Sequence, residues 1–284
     1  MNKWNLIVDV AECTNCNNCF ISCKDEYVGN DIEGYSRSQP LHGHKWINIL
    51  KAERGSYPRV DITYLPTMCN HCDNAPCIEK GQGAAYKRED GIVIIDPVKA
   101  KDRKDLVEAC PYGAIWWNEE HALPQAWQFD AHLLDRGWDK PRCVQSCPTG
   151  ALKALKVSDE SMATIAQQQG SEPLRADLDS KPRVLYKNLY RFNSHFVAGE
   201  ALLKHADVID CLADTTVELY IGEKKFASTQ TDAFGEFQFD GIADKTGACE
   251  LTFSHDKYGQ KKAGVVIKSN SLVVDSVVFE AEQK

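Results

Sequence analysis

The stretch Cys13-Thr14-Asn15-Cys16-Asn17-Asn18-Cys19-Phe20-Ile21-Ser22-Cys23 decides how this chain is read. Its spacing is C-x2-C-x2-C-x3-C. Three thiolates on one tight loop can each hold a different iron of a cubane, while the fourth opens a helix and points toward a second cluster. In such modules the last ligand of each cluster comes from a remote Cys-Pro, and Cys147-Pro148 supplies one. A second group, Cys69-Asn70-His71-Cys72-Asp73-Asn74-Ala75-Pro76-Cys77, offers three thiols as C-x2-C-x4-C, with Cys110-Pro111 as its natural remote partner. The spacing assigns Cys13, Cys16, Cys19 and Cys147 to one [4Fe–4S] cluster, and Cys69, Cys72, Cys77 and Cys110 to another. The competing reading is structural zinc, which usually takes two separated pairs. His71 lies between two thiols and is expected to hydrogen-bond near the cluster rather than to bind metal.

Ten of the twelve cysteines fall between Cys13 and Cys147. Cys211 and Cys249 are expected as buried or half-buried thiols, and a disulfide between them is disfavoured in a reducing compartment. The 284 residues suggest roughly two domains. A formal net charge of −8 argues against a nucleic-acid partner, since phosphate contacts need clustered Lys and Arg. No apolar run approaches the roughly 18 residues of a membrane span. Met1 to Val10 lacks the apolar block and small-residue cleavage site of a secretory signal. A cytoplasmic protein is therefore expected. There is no Ser-His-Asp set, phosphate loop or dinucleotide fingerprint. No catalytic residue is expected; the chemistry of the chain is one-electron transfer.

The expected class is α+β. Residues 1–199 read as a ferredoxin-like iron–sulfur domain with insertions, and 200–284 as a small all-β domain. Strands are expected at Trp4–Val8, Lys45–Leu50, Val60–Leu65 and Gly91–Ile95. Ser158 to Gln169 reads as a helix capped by Ser158 and stopped at Gly170. Asp96–Ala109 reads as a helix starting near Pro97. Beyond residue 200, strands are expected at Thr216–Ile221, Lys225–Thr231, Glu236–Phe239, Glu250–Ser254, Gly264–Ile267 and Leu272–Phe279. Turn residues between them suggest a β-sandwich. Tyr186, Tyr190, Phe192 and Phe196 suit either internal packing or docking on a large partner.

Several segments carry a family resemblance. Cys69–Cys77, Lys87–Val93, Cys110–Ala114 and Cys143–Pro148 look like the iron–sulfur subunits of molybdopterin oxidoreductases, in the dimethyl-sulfoxide-reductase superfamily. Those subunits carry four cysteine motifs and four clusters. Here Gly81 stands where the second motif would end in cysteine, and Asp96–Ala109 holds none of the third motif's first three. The fourth cluster is therefore expected to be absent. That pattern is similar to the small subunits of the pyrogallol–phloroglucinol transhydroxylase type. The likeness extends to Gly43–Trp46, Glu53–Arg59, Ala131–Asp135 and Lys187–Phe192. The same resemblance implies that Cys23 and Cys143 would share a further cluster with a C-x2-C pair, but Trp127 and Asp130 replace that pair. We expect this site (Cys23, Cys143 and Asp130) to be degenerate, with Trp127 filling the volume. Two [4Fe–4S] clusters are expected, three being the alternative.

The resemblance further implies an electron-transfer subunit of a heterodimer acting on hydroxylated aromatics, as a transhydroxylase or a resorcinol-type hydroxylase. A large catalytic subunit would hold a molybdenum or tungsten bis-pterin and the substrate. The alternative is a scaffold subunit whose clusters hold the fold and whose sandwich docks the catalytic subunit. The stretch 231–239 resembles transthyretin-like or carboxypeptidase-regulatory-like sandwiches.

Overall fold

The alternating stretch near the start folds as the strand Lys3–Asp9, yet every residue from Trp4 to Asp9 is buried. It is the central strand of a three-stranded sheet. Leu6 lies opposite Ala154 of an antiparallel neighbour and Val184 of a parallel one. Those neighbours pair both of its edges, and the burial of successive residues shows that both faces are also covered.

The computed structural model describes residues 1–281. In chain order it begins β1 (Lys3–Asp9), α1 (Asn18–Tyr27), β2 (Ile47–Ser56), β3 (Arg59–Met68), α2 (Pro76–Gly81), β4 (Ala85–Lys87), β5 (Val93–Ile95) and α3 (Asp105–Glu108). It continues with β6 (Trp116–Asn118), β7 (Leu123–Gln125), α4 (Ala131–Leu134), α5 (Arg142–Gln145), β8 (Leu152–Val157), α6 (Asp159–Gln169) and β9 (Val184–Lys187). Then come α7 (Tyr190–Asn193), β10 (His195–His205), β11 (Val208–Cys211), β12 (Thr216–Ile221), β13 (Lys224–Gln230) and β14 (Glu236–Ile242). The last are β15 (Gly247–His255), β16 (Gly259–Ile267), β17 (Leu272–Val273) and β18 (Val277–Glu280). Among the described residues no helix is long and apolar enough to cross a membrane.

The chain divides into two units. One gathers Met1–Lys51 and Thr63–Leu189; the other gathers Ala52–Ile62 and the residues from Tyr190 onward. The first is built on the sheet β8-β1-β9, with the hairpins β4–β5 and β6–β7 beside it. In α1 the buried residues are Cys19, Ser22, Cys23 and Tyr27, spaced to share one helical face. Helix α6 starts at Ser158, whose side chain accepts the Ser161 N–H, and stops at Gly170 in the left-handed region.

The stretch 97–109 departs from expectation. Only Asp105–Glu108 is helical. The Asp96 carboxylate accepts the N–H groups of Val98 and Lys99, closing a local turn. Asp102 then takes a left-handed conformation (φ 62°), and its N–H bonds Ala122 O at 2.7 Å. A helix cannot pass through that residue.

The second unit has two sheets, β13-β12-β15-β16 and a five-stranded one in which β10 pairs with β11, β14, β17 and β18. One apolar core joins them through Val197, Val217, Leu219, Phe237, Leu251, Phe253 and Phe279. Leu272–Phe279 is not one strand but two, β17 and β18, both parallel to β10. Strands β10 and β11 lie outside the set that the sequence pattern predicts. Cys211 sits on β11, every residue of which is exposed, so it is not the buried thiol expected; Cys249 is buried, and both are free. Gly235 ends the 232–235 turn at φ 76°, where an added Cβ would lie 2.3 Å from Ala201 O, so a side chain is excluded there.

Candidate metal centres

The first three thiols lie on the loop from β1 into α1. Asn15 and Asn17 take left-handed conformations (φ 57° and 61°), which Asn tolerates better than most residues, and the loop curls on itself. Cys19 is in the first turn of α1, on its buried face. Cys147 follows α5. Together Cys13, Cys16, Cys19 and Cys147 line one cavity, with Ile49, Pro66 and Leu152 among its apolar walls. Cys16 is exposed and Cys19 buried. Burial raises the Cys13 thiol and pushes Cys19 up to about 12, with repulsion among the sulfurs adding to it. The N–H groups of Asn15 and Phe20 donate to the sulfurs of Cys13 and Cys19.

The second quartet is drawn from three elements. Cys69 and Cys72 follow β3, Cys77 lies in α2, and Cys110 follows α3. Cys69 is near enough to Cys77, Cys110 and Cys72 to feel their charges. Burial drives Cys69 well above the ordinary thiol range, Cys72 up to about 11 and Cys77 up to about 12. The Cys110-Pro111-Tyr112-Gly113 turn closes by a Gly113 N–H to Cys110 O bond of 3.0 Å. It aims the Ala114 N–H at Cys110 Sγ, 3.4 Å away. Among the described residues no three His, Cys, Asp or Glu side chains close on a single-ion site. The first quartet instead surrounds a volume.

His71 is buried, and its Nδ1 accepts the Val93 N–H at 3.1 Å, so the ring proton sits on Nε2. Burial, helped by Lys87 and Arg183, lowers its pKa to about 3, and the ring is neutral. It is a hydrogen-bonding strut for the cysteine loop.

The third group is Cys23, Cys143 and Asp130. Cys23, on α1, and Cys143, on α5, are both buried. Asp130 is buried at 1% exposure between them. One carboxylate oxygen accepts the Tyr27 hydroxyl at 2.8 Å and the Trp127 indole N–H at 3.3 Å. The other accepts the Arg142 N–H at 2.8 Å. Burial raises the Asp130 pKa, and the three donors pull against that rise. Burial, and then the Asp130 charge, hold both thiols far above their ordinary range. Trp127 stacks on Phe129 with centroids 4.8 Å apart, and both rings meet the edge of His71. Bulk and a satisfied carboxylate occupy this position.

Residues 60–157 match the family described as 4Fe-4S dicluster domain. The pyrogallol hydroxytransferase small subunit of Pelobacter acidigallici is 44% identical over 270 residues, covering 94% of this chain and 95% of that protein. The chain belongs to that small-subunit family. More distant relatives include a tetrathionate reductase subunit of Salmonella typhimurium, 30% identical over 66% of this chain and 73% of that protein. The arsenate respiratory reductase iron–sulfur subunit of a Shewanella species is 33% identical over 49% of this chain and 55% of its own length.

For this small subunit, sequence reasoning finds the cysteines and misses what steadies them. Tyr27 carries no signal in its neighbourhood; only the fold brings it to Asp130, 103 positions away. Lys87 stands out in the sequence only as part of a family-like segment, yet its ammonium binds the carbonyls of His71 and Cys72, each at 2.8 Å. Of the four aromatic residues in 186–196, Tyr186 and Phe196 are fully buried and serve packing. Tyr190 is 39% exposed and remains available to a partner.

Proposed function

We propose that this chain is the iron–sulfur electron-transfer subunit of a molybdopterin oxidoreductase acting on hydroxylated aromatics. In this reading Cys13, Cys16, Cys19 and Cys147 hold one [4Fe–4S] cluster, and Cys69, Cys72, Cys77 and Cys110 hold a second. The observation that carries it is 44% identity, across nearly the full length of both chains, to a pyrogallol hydroxytransferase small subunit. The donor sets fit: four thiols gathered in each, with backbone N–H groups aimed at sulfur. Buried thiolates repel one another, and an iron cage supplies the counter-charge that lets them stay ionised. Each cubane, when bound, carries one electron at a time.

We read the third position as lost, for a count of two clusters. A carboxylate already taking three hydrogen bonds has no reason to leave them for iron, and iron–sulfur sites favour soft thiolate over hard oxygen. The second unit, with two sheets over one core, we read as a sandwich of transthyretin-like or carboxypeptidase-regulatory-like type that docks the catalytic subunit. The substrate site and a molybdenum or tungsten bis-pterin belong to that large partner. The site of action is then the cytoplasm.

The test is anaerobic purification of the native complex with metal analysis. About eight iron atoms per copy of this chain are expected, by the count of two cubanes. Electron-paramagnetic-resonance signals from the clusters should change during turnover. Zinc in place of iron would sink the reading, and clusters that never change oxidation state would favour the scaffold alternative.

A further inference from the structure

The Cys69–Cys77 loop is held by charge as well as by thiols. Strands β4 and β5 form a hairpin in which Lys87 is paired with Val93. Both ends of that pair grip the loop. The Val93 N–H bonds His71 Nδ1, and Lys87 Nζ donates to His71 O and Cys72 O. Its third contact is Asp73 Oδ1 at 2.7 Å, so all three ammonium protons are used. From the other side Arg183, 4% exposed, takes Asp73 with a two-pronged grip, Nε to Oδ1 at 2.8 Å and a terminal nitrogen to Oδ2 at 2.6 Å. The Arg183 N–H also closes on Asn70 O at 2.8 Å. Two cations therefore flank one carboxylate against this loop; Arg183 also reaches Asp159 at 3.0 Å, which Lys3 pairs at 2.6 Å, so the network of three cations and two carboxylates keeps a net positive charge. Lys87 Nζ thus stands 2.8 Å from the carbonyl of Cys72 itself.

We propose that Lys87, Asp73 and Arg183 form an electrostatic clamp that raises the reduction potential of the cluster at Cys69, Cys72, Cys77 and Cys110. This rests on the iron–sulfur assignment above. A reduced cubane carries one more negative charge than the oxidised one. Burial opposes that added charge. The net positive charge of that network, held against the loop, offsets the cost. The second cluster then holds an electron more readily than burial alone would allow. Lys87 is a positioning and tuning residue; it touches the backbone of the cysteine loop.

The test is a redox titration of the anaerobically purified complex, with dithionite and mediators, read by electron paramagnetic resonance. Lys87→Met should move one cluster's midpoint to lower potential and leave the other's in place. Lys87→Arg, which keeps the charge, should leave both near wild type. Asp73→Asn removes the anion between the cations and should shift the same cluster upward. Midpoints unmoved in both Lys87→Met and Asp73→Asn, or moved in the opposite sense, overturn the clamp. Should Lys87→Met lose iron, the Asp73→Asn shift decides. Iron lost from both makes the trio a fold clasp and refutes the tuning role. A wild-type complex without cluster signals would instead sink the underlying assignment.

Discussion

The second cysteine quartet and the Cys23–Cys143–Asp130 group differ in what surrounds their sulfur. Around Cys69, Cys72, Cys77 and Cys110 the loop is braced from outside, by Lys87 and Val93 at the backbone and by the turn after Cys110. Lys87 and Val93 act on groups of the loop and not between the thiols. Around Cys23 and Cys143 the bracing comes from inside. Asp130 ties Tyr27, Trp127 and the Arg142 N–H together, and the indole takes up volume. On the proposed reading, a position that holds no cluster needs more than a missing thiol. The cavity must be filled and its polar groups paired, because an empty space or an unpartnered buried carboxylate each costs stability.

Iron content draws that contrast most sharply. Cys16→Ala should take one cubane with it, lowering iron from about eight to about four atoms per chain, whereas Cys23→Ala should leave iron unchanged. A loss of iron from the Cys23 variant would break the comparison. Next in size is Trp127→Ala. Removing a side chain 1% exposed from this packed position should cost about 3–5 kcal/mol in denaturant unfolding, with the iron signal of the native state intact. Asp130→Ala strands a hydroxyl, an indole N–H and a backbone N–H. It should destabilise by about 2–3 kcal/mol, again without loss of iron. The smallest change is Tyr27→Phe, which deletes one hydrogen bond to that carboxylate while keeping the ring against Trp46. About 1 kcal/mol is expected, and a much larger loss would mean the hydroxyl does more than satisfy Asp130.

What could be read from the chain alone was the part governed by short spacing. Cys13 to Cys23 and Cys69 to Cys77 are short stretches whose cysteine spacing is local, and Cys-Pro pairs at 110 and 147 announce themselves. Ser158 and Gly170 mark the two ends of α6 for the same reason, since caps act within a turn of the helix. The helix expected from Pro97 failed because periodicity does not reveal that Asp102 will bond Ala122 in a left-handed conformation. Strand β10 escapes the local pattern because, besides its hairpin neighbour β11, its partners β14, β17 and β18 lie about 40 to 75 residues away, and a strand is defined by what it pairs with. Only the tertiary structure joined Lys87 to the carbonyls of the cysteine loop, Arg183 to Asp73 and Tyr27 to Asp130. Those links span from 15 to 110 positions, and hydrogen bonds and charges act through space, whatever the distance along the chain.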